Sequence, residues 1–196
     1  MTSVNVLLFD DFTVLDAFGP AEVFGRLNKL YQVNYFSPGG GLVCGSANIK
    51  IETKSIDELD AKGILILPGG FGTRPLVDNT GFIGMIKNIA LTSEYVLCVC
   101  TGSALLSKTG LLDGKNATSN KMSWDWAIAQ NAEVNWVRHA RWVVDGKYYT
   151  SSGVTAGIDM SLGFISDRLG IETARKVSAS LEHVWNEDRD RDPFAK

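Results

Sequence analysis

The segment that decides the fold is YVLCVCTGSALLSKTG, which runs from Tyr95 to Gly110. Its first half is a short apolar run, typical of a strand buried on both faces of a parallel sheet. Its second half has the spacing of a short helix, with Gly110 as the expected C-cap. Cys100 lies at the junction, and the small residue Gly102 allows the chain to turn sharply from strand into helix. The pattern predicts a nucleophile elbow with cysteine in place of serine.

At this junction Cys100 would face the N-terminal end of a helix, where free N–H groups and the helix dipole provide partial positive charge. Both effects favour a thiolate, so the position predicts a lowered pKa and a reactive thiol. The alternative is an ordinary buried cysteine, because free cysteine is among the most buried residue types. The segment by itself leaves both interpretations open.

The length and net charge of the chain limit the number of domains and the kinds of partner to be expected. A chain of 196 residues has the size of one α/β domain with a full core. Its net charge of −3 gives no electrostatic argument for binding nucleic acid or an anionic membrane surface. The first residues carry no basic leader pattern, and no apolar run approaches the length of a membrane span. We therefore expect a cytoplasmic protein without nucleic-acid or membrane partners.

The cysteine and histidine counts bear on metal chemistry. Three cysteines, without a secretion signal, predict free thiols in a reducing compartment. Cys98 and Cys100 form a C-x-C pair, but no second pair stands at a zinc-like spacing and the chain has only two histidines. We therefore expect no structural metal site and no bound cofactor.

Strands alternate with helices along the chain. Apolar runs at residues 4–9 and 63–67 predict buried strands, and a helical pattern follows each of them. Residues 31–36 alternate weakly and predict a further strand between these two. This order predicts an α/β fold with a mostly parallel sheet and antiparallel additions. No repeat or linker divides the sequence, so we expect a single domain over residues 1–196. A last helix is expected from Ile171 to Trp185, and the mixed-charge residues from about 186 onward are expected to form a solvated extension.

Two further segments follow predicted strands. Asp16 lies just past the first strand, at the edge of the sheet where ligands bind in open α/β folds. It also suits the N-cap of a helix predicted to begin at Phe18, and it can do both. The Pro68-Gly69-Gly70 turn follows the strand at 63–67, and its glycines allow a backbone N–H to face a substrate oxygen. Phosphate binding is the competing interpretation, but the turn lacks the Lys-Ser/Thr of a P-loop.

Four motifs occur together in a characteristic order. They are the elbow at Cys100, the turn Leu67-Pro68-Gly69-Gly70, the segment LDAFGPAEVF from Leu15 to Phe24 and the segment GVTAGID from Gly153 to Asp159. In this order and spacing they resemble the ThiJ/PfpI superfamily over nearly the whole chain. The resemblance implies a single-domain, three-layer α/β sandwich with a mostly parallel central sheet, flavodoxin-like and similar to class I glutamine amidotransferases.

The resemblance also implies roles for individual residues. Cys100 matches the nucleophile of the family, and Asp16 matches the acidic residue that approaches its sulfur. The backbone N–H groups of Gly70 and Thr101 match the pair that forms the oxyanion hole. The protease-like branch has histidine directly after the nucleophile, whereas this chain has Thr101, which argues against peptidase activity.

The Asp-x-x-Gly-Pro-x-Glu-Val-Phe motif is similar to that of the isocyanide hydratase branch and of the sensor domains of certain AraC-type regulators. Those regulators carry a further helix-turn-helix domain, for which a chain stopping at Lys196 leaves no room, so we expect no DNA binding. His139 and His183 match no catalytic histidine of the family, and we interpret both as structural. The resemblance implies a homodimer acting on a small molecule.

Three functional hypotheses follow. The first is an isocyanide hydratase-like enzyme that forms a thioimidate on Cys100 and uses Asp16 or water as the proton donor. Asp16 can serve as an acid near neutral pH only if burial or the adjacent thiolate raises its pKa. The second is a glyoxalase-like or amidase-like hydrolase that uses the same thiol. The third is a non-enzymatic sensor of oxidants or ligands, with Cys100 open to oxidation.

Overall fold

The computed structural model describes residues 1–60 and 62–195. Within those ranges the chain forms ten strands and seven α-helices. The strands are β1 (Thr2–Leu7), β2 (Tyr31–Ser37), β3 (Gly41–Cys44), β4 (Lys50–Ser55), β5 (Ile64–Leu67), β6 (Tyr95–Cys98), β7 (Asn116–Ala117), β8 (Asn135–Trp136), β9 (Trp142–Asp145) and β10 (Tyr148–Ser151). The helices are α1 (Val14–Gly25), α2 (Thr73–Leu76), α3 (Thr80–Thr92), α4 (Gly102–Lys108), α5 (Trp124–Ile128), α6 (Ala156–Leu169) and α7 (Ile171–Ser180).

Eight of the described strands form one sheet, in the order β3-β4-β2-β1-β5-β6-β10-β9. Neighbours from β4 to β10 pair in parallel, and β3 and β9 are added at the two edges as antiparallel strands. β7 and β8 form a separate parallel pair. The predicted mostly parallel sheet with antiparallel additions is therefore confirmed.

Helices cover the sheet in two groups. α6 contacts both α1 and α7, and α4 contacts α2, α3 and α5. β5 is buried along its whole length, which requires cover on both faces of the sheet. The result is the three-layer sandwich expected from the resemblance. None of the helices in the described ranges is both long and apolar enough to cross a membrane.

The first helix begins earlier than predicted. α1 starts at Val14, four residues before Phe18, and the N–H of Val14 donates to Ser46 Oγ at 3.0 Å. Thr13 occupies the N-cap position, so Asp16 lies in the first turn of the helix and is not its N-cap. The side chain of Asp16 is thereby free to point toward the sheet edge.

The C-terminal segment also differs from the expectation. α7 ends at Ser180, so the predicted helix to Trp185 is too long. The carbonyl of Arg189 accepts a hydrogen bond from the N–H of Arg141 at 2.7 Å, and Asp192 is only 4% exposed. The segment from residue 186 is thus anchored to the domain through Arg189 and Asp192, although most of its side chains are exposed.

A buried ion cluster explains this docking. Arg141 Nε donates to Asp159 Oδ2 at 2.7 Å, and its Nη1 lies 3.8 Å from Asp192 Oδ1. Lys121 Nζ lies 3.9 Å from the other oxygen of Asp192. His183 Nε2 lies 2.9 Å from Asp159 Oδ1. Because a buried carboxylate is costly without such partners, Asp192 ties the last residues to the edge of the sheet.

Candidate active site

The predicted elbow is present between β6 and α4. Cys100 adopts φ 58°, a left-handed conformation that non-glycine residues rarely take. The turn is so tight that a Cβ on Gly102 would lie 2.2 Å from the carbonyl oxygen of Leu67. The N–H of Cys100 donates to the carbonyl of Ser152 at 3.1 Å, which fixes the strained residue from the β10 side. Strain of this kind is common at functional sites.

The thiol of Cys100 has specific hydrogen-bond donors. Asn120 Nδ2 donates to Sγ at 3.1 Å, and the backbone N–H of Thr101 also favours the charged form of the sulfur. Cys100 is 6% exposed, so its sulfur is largely shielded but still lines a cavity. Asn120 comes from the loop after β7, which no sequence motif singled out.

Asp16 lies behind this thiol and is fully buried. Its Oδ2 accepts a hydrogen bond from the N–H of Gly69 at 3.0 Å. Gly69 has no room for a side chain, because a Cβ there would lie 2.6 Å from Thr101 N and 2.9 Å from Asp16 Oδ2. The other carboxyl oxygen, Oδ1, has no hydrogen-bond partner within the described residues. The structure therefore brings Asp16 to Cys100, as the resemblance implies.

The protonation states of this pair differ from the expectation. Burial raises the pKa of Asp16 to about 7, against the opposing effects of the Gly69 N–H and the Cys100 thiol. Burial and the charge of Asp16 raise the pKa of Cys100 to about 12, although Thr101 N–H and Asn120 lower it. The prediction of a lowered pKa for Cys100 is wrong, because loss of hydration and the acid outweigh the helix end.

The backbone N–H groups of Gly70 and Thr101, the two predicted oxyanion donors, have different acceptors in the structure. The N–H of Gly70 donates to the side-chain Oγ1 of Thr101 at 3.1 Å. Thr73 Oγ1 donates to the carbonyl of Gly70 at 2.7 Å and so holds the turn in place. The N–H of Thr101 is directed at the sulfur of Cys100. Both residues line the cavity, but the Gly70 N–H is engaged within the protein.

A cavity of about 170 Å³ opens above the thiol. Six of its lining residues are Phe71, Arg74, Cys100, Thr101, Asn120 and Met122. Phe71 and Met122 are mostly exposed, so they border its entrance. The volume lies below the range of roughly 300–1,000 Å³ that is typical of pockets for drug-sized ligands. The site therefore suits a small molecule.

A second cavity of about 510 Å³ adjoins the first and shares the wall formed by Asn120 and Met122. Arg138 and Lys121 line it, and so does Phe194 of the docked C-terminal segment. Across the described parts of the chain, no three His, Cys, Asp or Glu side chains come together as metal ligands would. The groups that line or adjoin the thiol cavity include a thiol, a carboxyl group, a guanidinium group and hydrogen-bond donors.

Comparison with known proteins shows which family this chain resembles. Residues 2–167 match the model of the DJ-1/PfpI family. An isonitrile hydratase from Pseudomonas putida is 32% identical over 182 residues, which cover 92% of this chain and 78% of the hydratase. The transcriptional regulator GlxA of Rhizobium meliloti is 29% identical, and the match covers 92% of this chain but only 57% of the regulator.

Solved structures show the same architecture. A THiJ/PfpI family protein from Pseudomonas syringae superposes with a TM-score of 0.83 at 26% identity, covering 98% of this chain and 76% of that one. Drosophila melanogaster DJ-1beta shares the fold with a TM-score of 0.78 at 20% identity, covering 94% of this chain and 99% of its own. Sequence and fold together show that this chain belongs to the DJ-1/PfpI family.

Proposed function

We propose that this protein is a cysteine-dependent hydro-lyase that adds water to small isocyanides and releases N-formamides. The observation that carries the proposal is the buried pair of Cys100 and Asp16, a neutral thiol beside a carboxyl group whose pKa is about 7. Similarity to an isonitrile hydratase, another name for the same activity, supports this choice of chemistry.

In the first step, Cys100 Sγ attacks the terminal carbon of the isocyanide while its proton passes to the Asp16 carboxylate. The S–C bond forms, and an electron pair remains on the attacked carbon. Asp16 then returns the proton to that carbon, which leaves a neutral thioimidate on the enzyme. A group that accepts and returns a proton works best with a pKa near the operating pH. The Asn120 and Thr101 N–H groups stabilise charge that develops on sulfur.

In the second step, water adds across the C=N bond of the thioimidate, with oxygen bonding to carbon and one proton to nitrogen. The C–S bond then breaks as the new hydroxyl loses its proton through Asp16 to the departing sulfur. The product is the N-formamide, and Cys100 is again a thiol. The overall reaction consumes one isocyanide and one water.

The placement of Gly70 favours this reaction over hydrolysis of a carbonyl compound. Attack on a carbonyl places charge on oxygen and requires preorganised donors at that oxygen. The Gly70 N–H is engaged with Thr101 Oγ1, so one of the two expected donors is occupied. Attack on an isocyanide places the electron pair on carbon, where a proton donor is needed, and Asp16 is such a donor. A glyoxalase-like or amidase-like hydrolase is therefore the weaker alternative.

The raised pKa of Cys100 also argues against an oxidant sensor, because peroxides react with the thiolate and not with the thiol. A second candidate function is binding of a small ligand without turnover. It is supported by the similarity to transcriptional regulators such as GlxA, although this chain spans little more than half of that protein's length.

The test is turnover of cyclohexyl isocyanide, with the formamide measured by mass spectrometry. We expect product from the wild-type protein and from Cys44→Ala, a control that removes a free thiol outside the cavity. Cys100→Ala should lose all measurable turnover, since the nucleophile is absent. Wild-type protein that binds isocyanides but releases no formamide would replace the proposal with ligand binding, and an active Cys100→Ala variant would refute it.

A further inference from the structure

Arg74 gives the cavity above Cys100 a chemical preference that the catalytic pair does not explain. It belongs to α2, directly after the Gly69-Gly70 turn, and lines the same cavity as the thiol. No Asp or Glu of the described chain lines that cavity, and Asp16 is fully buried behind it. The cavity is therefore a small volume with one fixed cation and no exposed counter-charge.

The guanidinium of Arg74 is held in one orientation. It stacks on Trp126, with Cζ 3.4 Å from the ring centroid. Its Nη2 donates to Ser123 Oγ at 2.9 Å. The N–H of Ser123 in turn donates to Asn120 Oδ1 at 3.0 Å, and Asn120 Nδ2 donates to Cys100 Sγ at 3.1 Å. A continuous chain of contacts thus connects the cation to the reacting sulfur.

This cation is incompletely satisfied. Its Nη1 is buried and has no hydrogen-bond partner within the described residues. Burial lowers the pKa of Arg74, and only a thiolate at Cys100 would offset this effect. A buried donor without an acceptor is costly, and a planar guanidinium matches the two oxygens of a carboxylate. An anionic ligand in the cavity would offset the cost of burying the guanidinium charge.

We propose that the cavity selects small substrates that carry a carboxylate, with Arg74 binding the carboxylate while Cys100 attacks the reacting carbon. The inference deepens the proposed function, because for an isocyanide hydratase it points to isocyano acids such as isocyanoacetate. The recognition step itself, however, requires only an anion beside the thiol, so it can be tested without turnover.

The first test compares iodoacetate with iodoacetamide, two alkylating reagents of similar size that differ in charge. In both reactions Cys100 Sγ forms a bond to carbon as the C–I bond breaks, iodide leaves and the thiol proton passes to Asp16 or solvent. The readout is the ratio of the two rates at Cys100, followed by mass spectrometry and divided by the same ratio for N-acetylcysteine. Dividing by the small thiol removes the intrinsic difference between the reagents.

We expect the normalised ratio to exceed one in the wild-type protein and to fall about tenfold in Arg74→Met, as loss of a charged hydrogen bond implies. Arg74→Lys, which keeps the charge but loses the planar fork, should give an intermediate ratio. Arg138→Met is the matched control, because Arg138 lines the adjoining cavity only, and it should leave the ratio unchanged. An unchanged ratio in Arg74→Met would overturn the proposal.

A second measurement uses the wild-type protein alone, in case Arg74 variants fold poorly. Acetate should slow alkylation by iodoacetamide more than acetamide does at equal concentration and ionic strength. Equal protection by the two compounds would contradict the proposal.

Turnover then separates this inference from the proposed function. We expect kcat/KM for isocyanoacetate to exceed that for neutral isocyanoacetamide in the wild-type protein, and Arg74→Met to remove the preference while keeping the neutral substrate. Absence of turnover together with a charge-dependent alkylation ratio would refute the isocyanide reaction and retain the anion site. Turnover of both isocyanides without a preference for the charged one, together with an alkylation ratio that does not depend on charge, would retain the isocyanide reaction and refute the anion site.

Discussion

Asp16 and Asp159 are buried to the same extent, at 0% and 1% exposure, but they have opposite kinds of partner. Asp159 accepts from the guanidinium of Arg141, with Nη2 at 2.6 Å, and also contacts His183. Asp16 has only the neutral N–H of Gly69 and the thiol of Cys100. One carboxylate is compensated by a cation, and the other is not.

The difference separates a structural carboxylate from a reactive one. Paired with Arg141, Asp159 fastens α6 to the strand edge and to the C-terminal segment. Asp16 has no cation beside it in the part of the chain that the structure describes, so burial raises its pKa to about 7. With this pKa it can accept and release a proton near neutral pH. Two equally buried aspartates thus have different roles because their partners differ.

The largest effect on stability is expected for Asp159→Asn. Removing the negative charge leaves Arg141 buried without its main partner, which costs about 3–5 kcal/mol of unfolding free energy. Denaturant unfolding at neutral pH measures this loss. A change below about 1 kcal/mol would show that Asp192 can compensate Arg141 by itself, and the contrast between the two aspartates would then weaken.

The identical substitution at the other site, Asp16→Asn, should have the opposite sign. Because the folded protein keeps the Asp16 proton up to about pH 7 whereas the unfolded chain loses it near 3.8, wild-type stability should fall as pH rises between these values. The variant lacks this pH-dependent loss, so above pH 7 its unfolding free energy should exceed that of the wild type by about 4 kcal/mol. It should also lose turnover by about 100-fold or more, since the proton carrier is absent.

Unfolding curves at several pH values, together with formamide assays, test this prediction. A variant whose stability follows the same pH dependence as the wild type would show that Asp16 does not titrate in this range. Retained turnover in a stable Asp16→Asn protein would assign proton transfer to another group.

A smaller effect is expected for Asn120→Ala. Loss of the amide donor at 3.1 Å from Sγ removes stabilisation of charge on sulfur, which corresponds to about tenfold slower alkylation of Cys100 by iodoacetamide. Asn34→Ala is a suitable control, because the Asn34 side chain is hydrogen-bonded locally to Gln32 and lies outside the cavity. Equal rates in Asn120→Ala and wild-type protein would mean that the contact is not used in reaction.

Sequence reasoning predicts the fold because apolar runs and glycine-rich turns act locally. The elbow at Cys100 and the strand before Gly69 depend on neighbouring residues only, and both are found where expected. The meeting of Asp16 with Cys100 followed from a family resemblance, since no local pattern joins residues so far apart. Burial then reversed the expected direction of the Cys100 pKa.

Other features depend on tertiary contacts and left little trace in the sequence. Asn120 lies in the loop after β7 and Arg74 in the short helix α2, and neither belongs to a motif, although Arg74 does follow a strand end, where ligand-binding residues are expected. The mixed-charge composition of the C-terminal segment predicts a solvated extension, because charged side chains are usually exposed to solvent. Only the fold reveals that Asp192 meets Arg141 and Lys121 at a buried edge.

The left-handed backbone of Cys100 has a consequence for the history of such chains. Glycine would adopt that conformation without the penalty of about 1–2 kcal/mol that a side chain incurs. A descendant that no longer needed the sulfur would gain stability by drifting to glycine at this position. Cysteine is therefore the residue that natural selection must actively maintain here, and its replacement in a lineage would mark the loss of the chemistry.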